Sequence, residues 1–225
     1  MKKNYFIGWV FIFISTTSCV SNKMLVSDVK PNEIEELSYF EPQSYIKFIK
    51  KGNKPEFSDS LSNITQKGIN QIFTKYKSQL HLTKKIEISD DSLNNRVKNE
   101  ILYLIQLAHY NRKIKGLKLT PAIDSIMESN NQRFAISIVA VGFGRDKGNY
   151  GGQIAKGIGV GILTLGMYTP VPVKSDLTLY GIIFDSKKDE ISFYKNTKPL
   201  EKSPIDIQTI DKQFHNLFKG YFFEN

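Results

Sequence analysis

The stretch Phe134-Ala135-Ile136-Ser137-Ile138-Val139-Ala140-Val141 decides the fold. Side chains alternate between the two faces of a strand. Here both faces are apolar: Phe134, Ile136 and Ile138 on one, Ala135, Val139 and Val141 on the other. Such a strand belongs in the middle of a sheet covered on both sides. Leu177-Thr178-Leu179-Tyr180-Gly181-Ile182-Ile183-Phe184 is a second one. Asp185 to Glu190 is polar and turn-like, and Ile191-Ser192-Phe193-Tyr194 returns as its hairpin partner.

Helical and strand periods alternate outward from this pair. Tyr45-Ile46-Lys47-Phe48-Ile49 reads as the first strand, ended by Lys51-Gly52-Asn53. Leu61, Ile64, Ile69, Ile72, Phe73, Tyr76 and Leu80 recur at three- and four-residue steps, an amphipathic helix interrupted by Gly68. Leu82, Lys84, Ile86 and Ile88 alternate with Thr83, Lys85 and Glu87 as a half-exposed strand near an edge. Ser89-Asp90-Asp91-Ser92 offers N-caps to a helix reaching about Arg112, whose middle, Ile101 to Ala108, is apolar nearly all round. Thr120-Pro121 opens a shorter helix with Pro at its first position. Ser203-Pro204-Ile205-Asp206 caps a last helix striped by Ile207, Ile210, Phe214, Leu217, Phe218 and Tyr221. The order β-α-β-α-α-β-(Gly-rich insertion)-β-β-α predicts an α/β (α+β) fold: a single mixed β-sheet covered by helices.

The insertion, residues 144–173, is the irregular element. Nine of the 15 glycines fall between 142 and 166, and no charge occurs from Gly157 to Val173. A connection this long calls for an explanation. Gly157-x-Gly159-x-Gly161 lacks the dinucleotide-binding spacing, and no P-loop Gly-Lys-Ser/Thr is present. Two readings stay open. Residues 151–173 lie on a membrane or a partner subunit, or they form a folded loop or short helix over their own sheet. The segment is too short and too rich in Thr and Pro to span a bilayer. The candidate interface comprises Arg145, Lys147, Tyr150, Ile154, Lys156, Ile158, Ile162, Leu163, Leu165, Met167 and Tyr168.

Composition narrows the chemistry. Of 225 residues, 40% are hydrophobic and 12% aromatic, too many for a disordered chain. The single Cys excludes an internal disulfide framework and a cysteine-based zinc site. The three His are scattered and read as solvated: His81 at a helix–strand junction, His109 and His215 on polar helix faces. No two share a metal-ligand spacing, and no Gly-x-Ser-x-Gly elbow exists. Asp185 ends a buried strand, where an Asp caps the following turn more often than it catalyses. No catalytic residue, metal or cofactor is expected.

The N-terminus carries an address. Lys2 and Lys3 precede Tyr5-Phe6-Ile7-Gly8-Trp9-Val10-Phe11-Ile12-Phe13-Ile14, and Ser15-Thr16-Thr17-Ser18-Cys19 follows. A positive start, about ten mostly apolar residues and a small-residue site make up a secretory signal, 1–18. The chain's one Cys directly after the small residues resembles the lipobox of bacterial lipoproteins. It lacks the usual Leu three positions before the Cys, although Ile14 stands two residues further upstream.

That resemblance implies cleavage before Cys19, acylation of its sulfur and amine, and attachment to a membrane by several acyl chains. Loss of 1–18 removes two Lys and the only Trp and lowers the net charge from +9 to +7. Val20, where an Asp would favour inner-membrane retention in that family, implies the outer membrane facing the periplasm. Residues 19–42, without a sustained period, read as the lipidated Cys and a flexible tether spanning roughly 25 Å. Residues 43–225 then form a single domain. The layout is also similar, in architecture alone, to periplasmic α/β lipoproteins such as the activators of peptidoglycan synthases, the TolB N-terminal domain and the curli secretion-channel subunit.

The expectation for function is a non-enzymatic cell-envelope lipoprotein, a periplasmic interaction or assembly module with an envelope protein partner or as a homo-oligomer. Nucleic acid is excluded by the compartment. The alternatives are an oligomeric membrane-associated or secretion component using 151–173, and an enzyme acting on cell wall or lipid.

Overall fold

A computed structural model of the chain describes residues 23–163 and 172–224, with backbone alone for 157–163. The chain enters through β1 (Leu25–Val26), makes a 3-10 turn at Pro31–Glu33, and continues into β2 (Leu37–Tyr39), β3 (Gln43–Ile49) and β4 (Glu56–Phe57). Helix α1 (Asp59–Lys75) follows, with Ser58 Oγ accepting from the Leu61 amide as its N-cap. After β5 (Leu82–Lys85) comes α2 (Asp91–Asn111), capped by Asp90. Helix α3 (Pro121–Ser129) starts on Pro121, whose fixed φ suits the first helical position. Strand β6 (Phe134–Arg145), helix α4 (Lys147–Leu163), β7 (Asp176–Asp185), β8 (Glu190–Asn196) and α5 (Ile207–Phe218), capped by Asp206, complete the chain.

The strands form one mixed sheet in the order β1-β8-β7-β6-β2-β5, with β3 also on β6 and β4 on β3. The two strands expected at the centre are there: β6 and β7 pair antiparallel from Phe134↔Asp185 to Phe143↔Asp176. β2 and β3 lie end to end along the other side of β6, both parallel to it. Phe40-Glu41-Pro42 breaks that lane, and its two halves take different outer partners: β2 pairs parallel with β5, β3 antiparallel with β4.

The alternation of β6 feeds two cores. Phe134, Ile136, Ile138 and Ala140 pack with Leu177, Leu179 and Ile183 under α1 and α5. Ala135 and Val139 pack with Ile182 and Phe184 under α2 and α3. Each fully buried Leu, Ile or Phe contributes about 1.5–3 kcal/mol relative to exposure. Helices on both faces thus make the mixed α/β architecture expected from sequence, and the order of its main elements is the expected one.

Two boundaries are corrected. The tether expected over 19–42 does not extend beyond the first described residue, Lys23. Leu25 pairs with Tyr194, and Val29, Ile34, Leu37 and Phe40 are buried at 2% exposure or less. These side chains fall on separate short pieces that plug the fold one at a time, so no common period marks them. Residues 19–22 lie outside the described residues. The Gly-rich insertion is in part regular: β6 runs on to Arg145, and 147–163 is helix despite six glycines, each costing about 1 kcal/mol against Ala. Residues 164–171 lie outside the described residues.

Candidate functional site

Two regions collect polar and aromatic groups. The first is the root of α4. Arg145 ends β6 and makes three side-chain bonds: Nη1 donates to the Gly52 carbonyl at 2.8 Å and to Asn53 Oδ1 at 2.9 Å, and Nε donates to the Val173 carbonyl at 3.1 Å. Asn149 Nδ2 adds a second bond to the Gly52 carbonyl, at 2.9 Å. Gly52 presents that carbonyl from φ +63°, a conformation that favours glycine. Asp146 Oδ1 accepts the amides of Gly148 and Asn149 and so caps α4. Arg145 is therefore a clamp joining the β3–β4 turn to both ends of the insertion, rather than a loop charge open to a partner.

Lys147 and Lys156 are exposed on α4, and Tyr150 and Ile154 are half-buried. Ile158, Ile162 and Leu163 fall within the helical backbone, with side chains outside the described residues. Cys19, Leu165, Met167 and Tyr168 lie outside the described residues altogether.

The second region was not visible in the sequence. Helices α2 and α3 cover only part of their face of the sheet, and a cleft remains beside the C-terminal turn of α2. His109 Nδ1 is 2.9 Å from the Tyr194 hydroxyl. The Tyr180 ring lies edge-on to the imidazole, centroids 6.2 Å apart. Burial pushes the Tyr194 hydroxyl well above the usual phenol range and raises Tyr180 as well, so both hydroxyls remain protonated.

A hollow of ≈ 480 Å³ is bounded here by Lys23, Leu25, His109, Arg112, Tyr194 and Asn196, among others. A second hollow of ≈ 290 Å³ shares His109 and Tyr110 and adds Leu102, Gln106, Val141 and Tyr180. Arg112 sits at the α2 C-cap with φ 49°, a conformation that favours glycine, and places a cation on the cleft wall. The chemistry of the cleft is aromatic walls for a flat or apolar group, two cations at one mouth, and an imidazole fixed through one nitrogen. His109 is exposed as expected, but its bond to Tyr194 spans 85 positions and has no local signature.

Asp185 and His215 have structural roles. Asp185 caps the turn after β7, accepting the Lys188 amide at 3.3 Å. Both its oxygens also receive Arg133. His215 stacks on Phe223 with ring centroids 4.9 Å apart. Among the described residues no group of three or more His, Cys, Asp or Glu is placed to hold a metal ion, and no helix is long and apolar enough to cross a membrane.

No protein family matches the sequence, and no curated protein matches it. Among solved structures, the crystal structure of a DUF4136 family protein from Bacteroides thetaiotaomicron is similar over 86% of this chain and 93% of that chain, at 7% identity and a TM-score of 0.31.

Proposed function

We propose that the chain is a non-enzymatic lipoprotein of the cell envelope, tethered through acyl chains on Cys19 and acting in the periplasm as an interaction or assembly module. The observation that carries this reading is the placement of its one Cys, directly behind ten mostly apolar residues and the small residues Thr16-Thr17-Ser18. The cleft around His109 and Tyr194 supports an interaction role, because aromatic and cationic side chains dominate binding surfaces. Its partner is an envelope protein or a second copy of the chain. Labelled palmitate should enter the wild-type protein and not Cys19→Ala, which should remain unprocessed. Normal processing and sorting of Cys19→Ala would refute the lipoprotein reading. Crosslinking in intact cells with a photoreactive residue at Tyr110, which is 81% exposed on the cleft rim, should capture a discrete product.

A second reading is favoured by the root of α4. A helix fixed to the sheet by its first turn, carrying uncharged sequence from Gly157 onward, suits a membrane-associated or oligomeric component that uses 151–173. Removal of 151–173 should then abolish oligomers or peptide-dependent membrane association while the sheet still folds.

A further inference from the structure

The register of the sheet fixes the direction in which the chain enters the domain. β1 runs antiparallel to β8, with Leu25 opposite Tyr194 and Val26 opposite Phe193. Continued upstream, the chain follows β8 towards its last residue, and Lys23 borders the same hollow as Asn196. Asn196 stands level with Tyr180, and Tyr180 with Val139. From Val139, β6 runs on to Arg145. From Leu25 back to Lys23 the chain therefore runs towards the end of the sheet where β6 stops, β7 begins and α4 leaves. Cys19 is four residues from Lys23, at most about 14 Å of chain.

That end has a distinct surface. Lys50, Lys51 and Lys54 lie in the β3–β4 turn, just past the pairing of Ile49 with Arg145. Lys147 opens α4, and Lys174 precedes β7. All five are exposed. Two apolar side chains project among them: Phe57, 55% exposed on β4, and Val173, 36% exposed. Of the acids at this end, Glu56 is 4.0 Å from Lys54, Asp146 caps α4 and Asp176 accepts the Phe143 amide, while Glu201 is exposed close to Asp176, so the five lysines outnumber the acids by one.

We infer that this end of the sheet docks on the surface of an anionic phospholipid bilayer, with Phe57 and Val173 at the headgroup boundary and the five lysines on the phosphates. The inference rests on the lipoprotein reading and deepens it: the acyl chains supply one attachment, and the lysine-ringed apolar surface supplies a second that fixes orientation. Basic residues beside an acyl anchor gain electrostatic attraction to anionic lipid, and apolar side chains add burial at the interface.

With the leader removed the chain has no Trp, so a single introduced Trp reports on its own surroundings. The acylated protein carrying Phe57→Trp, with acylation verified by mass, is reconstituted into vesicles of phosphatidylcholine with phosphatidylglycerol, part of it brominated. Lys187→Trp, at the opposite end of β7, is the reference. Phe57→Trp should be quenched and blue-shifted, and Lys187→Trp should not. Quenching should fall in phosphatidylcholine alone and in high salt.

The processed chain from residue 19 with Cys19→Ser should float with anionic vesicles and not neutral ones. Replacing Lys50, Lys51 and Lys54 by Gln should weaken that binding roughly 100-fold. Equal quenching at both positions, or none at Phe57→Trp in protein of confirmed acylated mass, overturns the docking surface and leaves the anchor standing. An unmodified Cys19 in the mass spectrum, with flotation of the Cys19→Ser chain retained, overturns the anchor and leaves the surface standing.

Discussion

Arg133 and Asp185 meet in a two-point ion pair at one end of the β6–β7 ladder, Nε to Oδ1 at 3.2 Å and Nη2 to Oδ2 at 3.1 Å. The Asp185 side chain is fully buried, and that of Arg133 is 38% exposed. The two partners are therefore unequal. Arg133→Ala leaves a buried carboxylate without its cation and should cost about 3–5 kcal/mol. Asp185→Asn keeps an acceptor for the Lys188 amide, leaves Arg133 partly hydrated, and should cost less. Urea denaturation of the two variants checks the order; a larger loss for Asp185→Asn would contradict it.

Ile34 tests the corrected domain boundary. In a flexible tether its truncation would be silent, whereas at 1% exposure in the core with Leu37 and Ile69 it fills space that nothing else takes. Ile34→Ala should cost about 2–5 kcal/mol. An unchanged thermal midpoint would return residues 23–42 to the tether.

Glu41 predicts an acid limit to stability. Burial pushes its carboxyl up, but hydrogen bonds from Asn70, Lys85 and Gln66, with the charge of Lys85, outweigh that and hold it below its ordinary value of 4.5. A carboxyl lowered in the folded state stabilises fully above the unfolded value and loses that contribution as pH falls through the folded one. Stability should therefore decline below about pH 4.5, and Glu41→Gln should flatten the decline without abolishing it. Glu100, lowered despite burial by Arg96 and the Ala122 amide, supplies part of the remainder. Unfolding free energies measured across this range for both proteins test the assignment.

Two glycines should respond oppositely to the same substitution. A Cβ on Gly142 would collide with the Asp176 carbonyl of the neighbouring strand, which cannot yield without breaking the ladder. Gly142→Ala should cost about 1–3 kcal/mol. A Cβ on Gly68 would meet the Ile210 Cδ1 methyl at 2.6 Å, the free end of a side chain that can turn away. The helix gains up to about 1 kcal/mol from Ala, so Gly68→Ala should be close to neutral. Equal losses for the two variants would mean that α1 and α5 are as rigidly apposed as β6 and β7.

The main elements were legible because their burial is periodic. Apolar residues on both faces of 134–141 and 177–184 fix two central strands, and the stripes of α1, α2 and α5 follow from 3.6-residue spacing. Residues 24–42 were not legible, since Leu25, Val29, Ile34 and Phe40 each belong to a different short piece. Helix α4 was obscured by its six glycines, each of which argues against helix. Cys19 and the Gly-rich chain could be singled out in advance because each is unusual composition. The cleft could not, because His109, Tyr180 and Tyr194 are ordinary residues joined only by the stacking of α2 on the sheet. The role of Arg145 as a clamp had the same origin: its three acceptors come from residues 52, 53 and 173.

The interruption at Phe40-Glu41-Pro42 has a consequence for how copies of the chain tolerate crowding. Because one lane is cut in two, the outermost strands are short: two residues in β4 and four in β5, the latter carrying Lys84 and Lys85. β1, on the far side, is two residues long. A border this fragmented gives a neighbouring molecule no run of free amides and carbonyls on which to lay down a strand. Copies brought to high local concentration can then meet edge to edge without fusing their sheets.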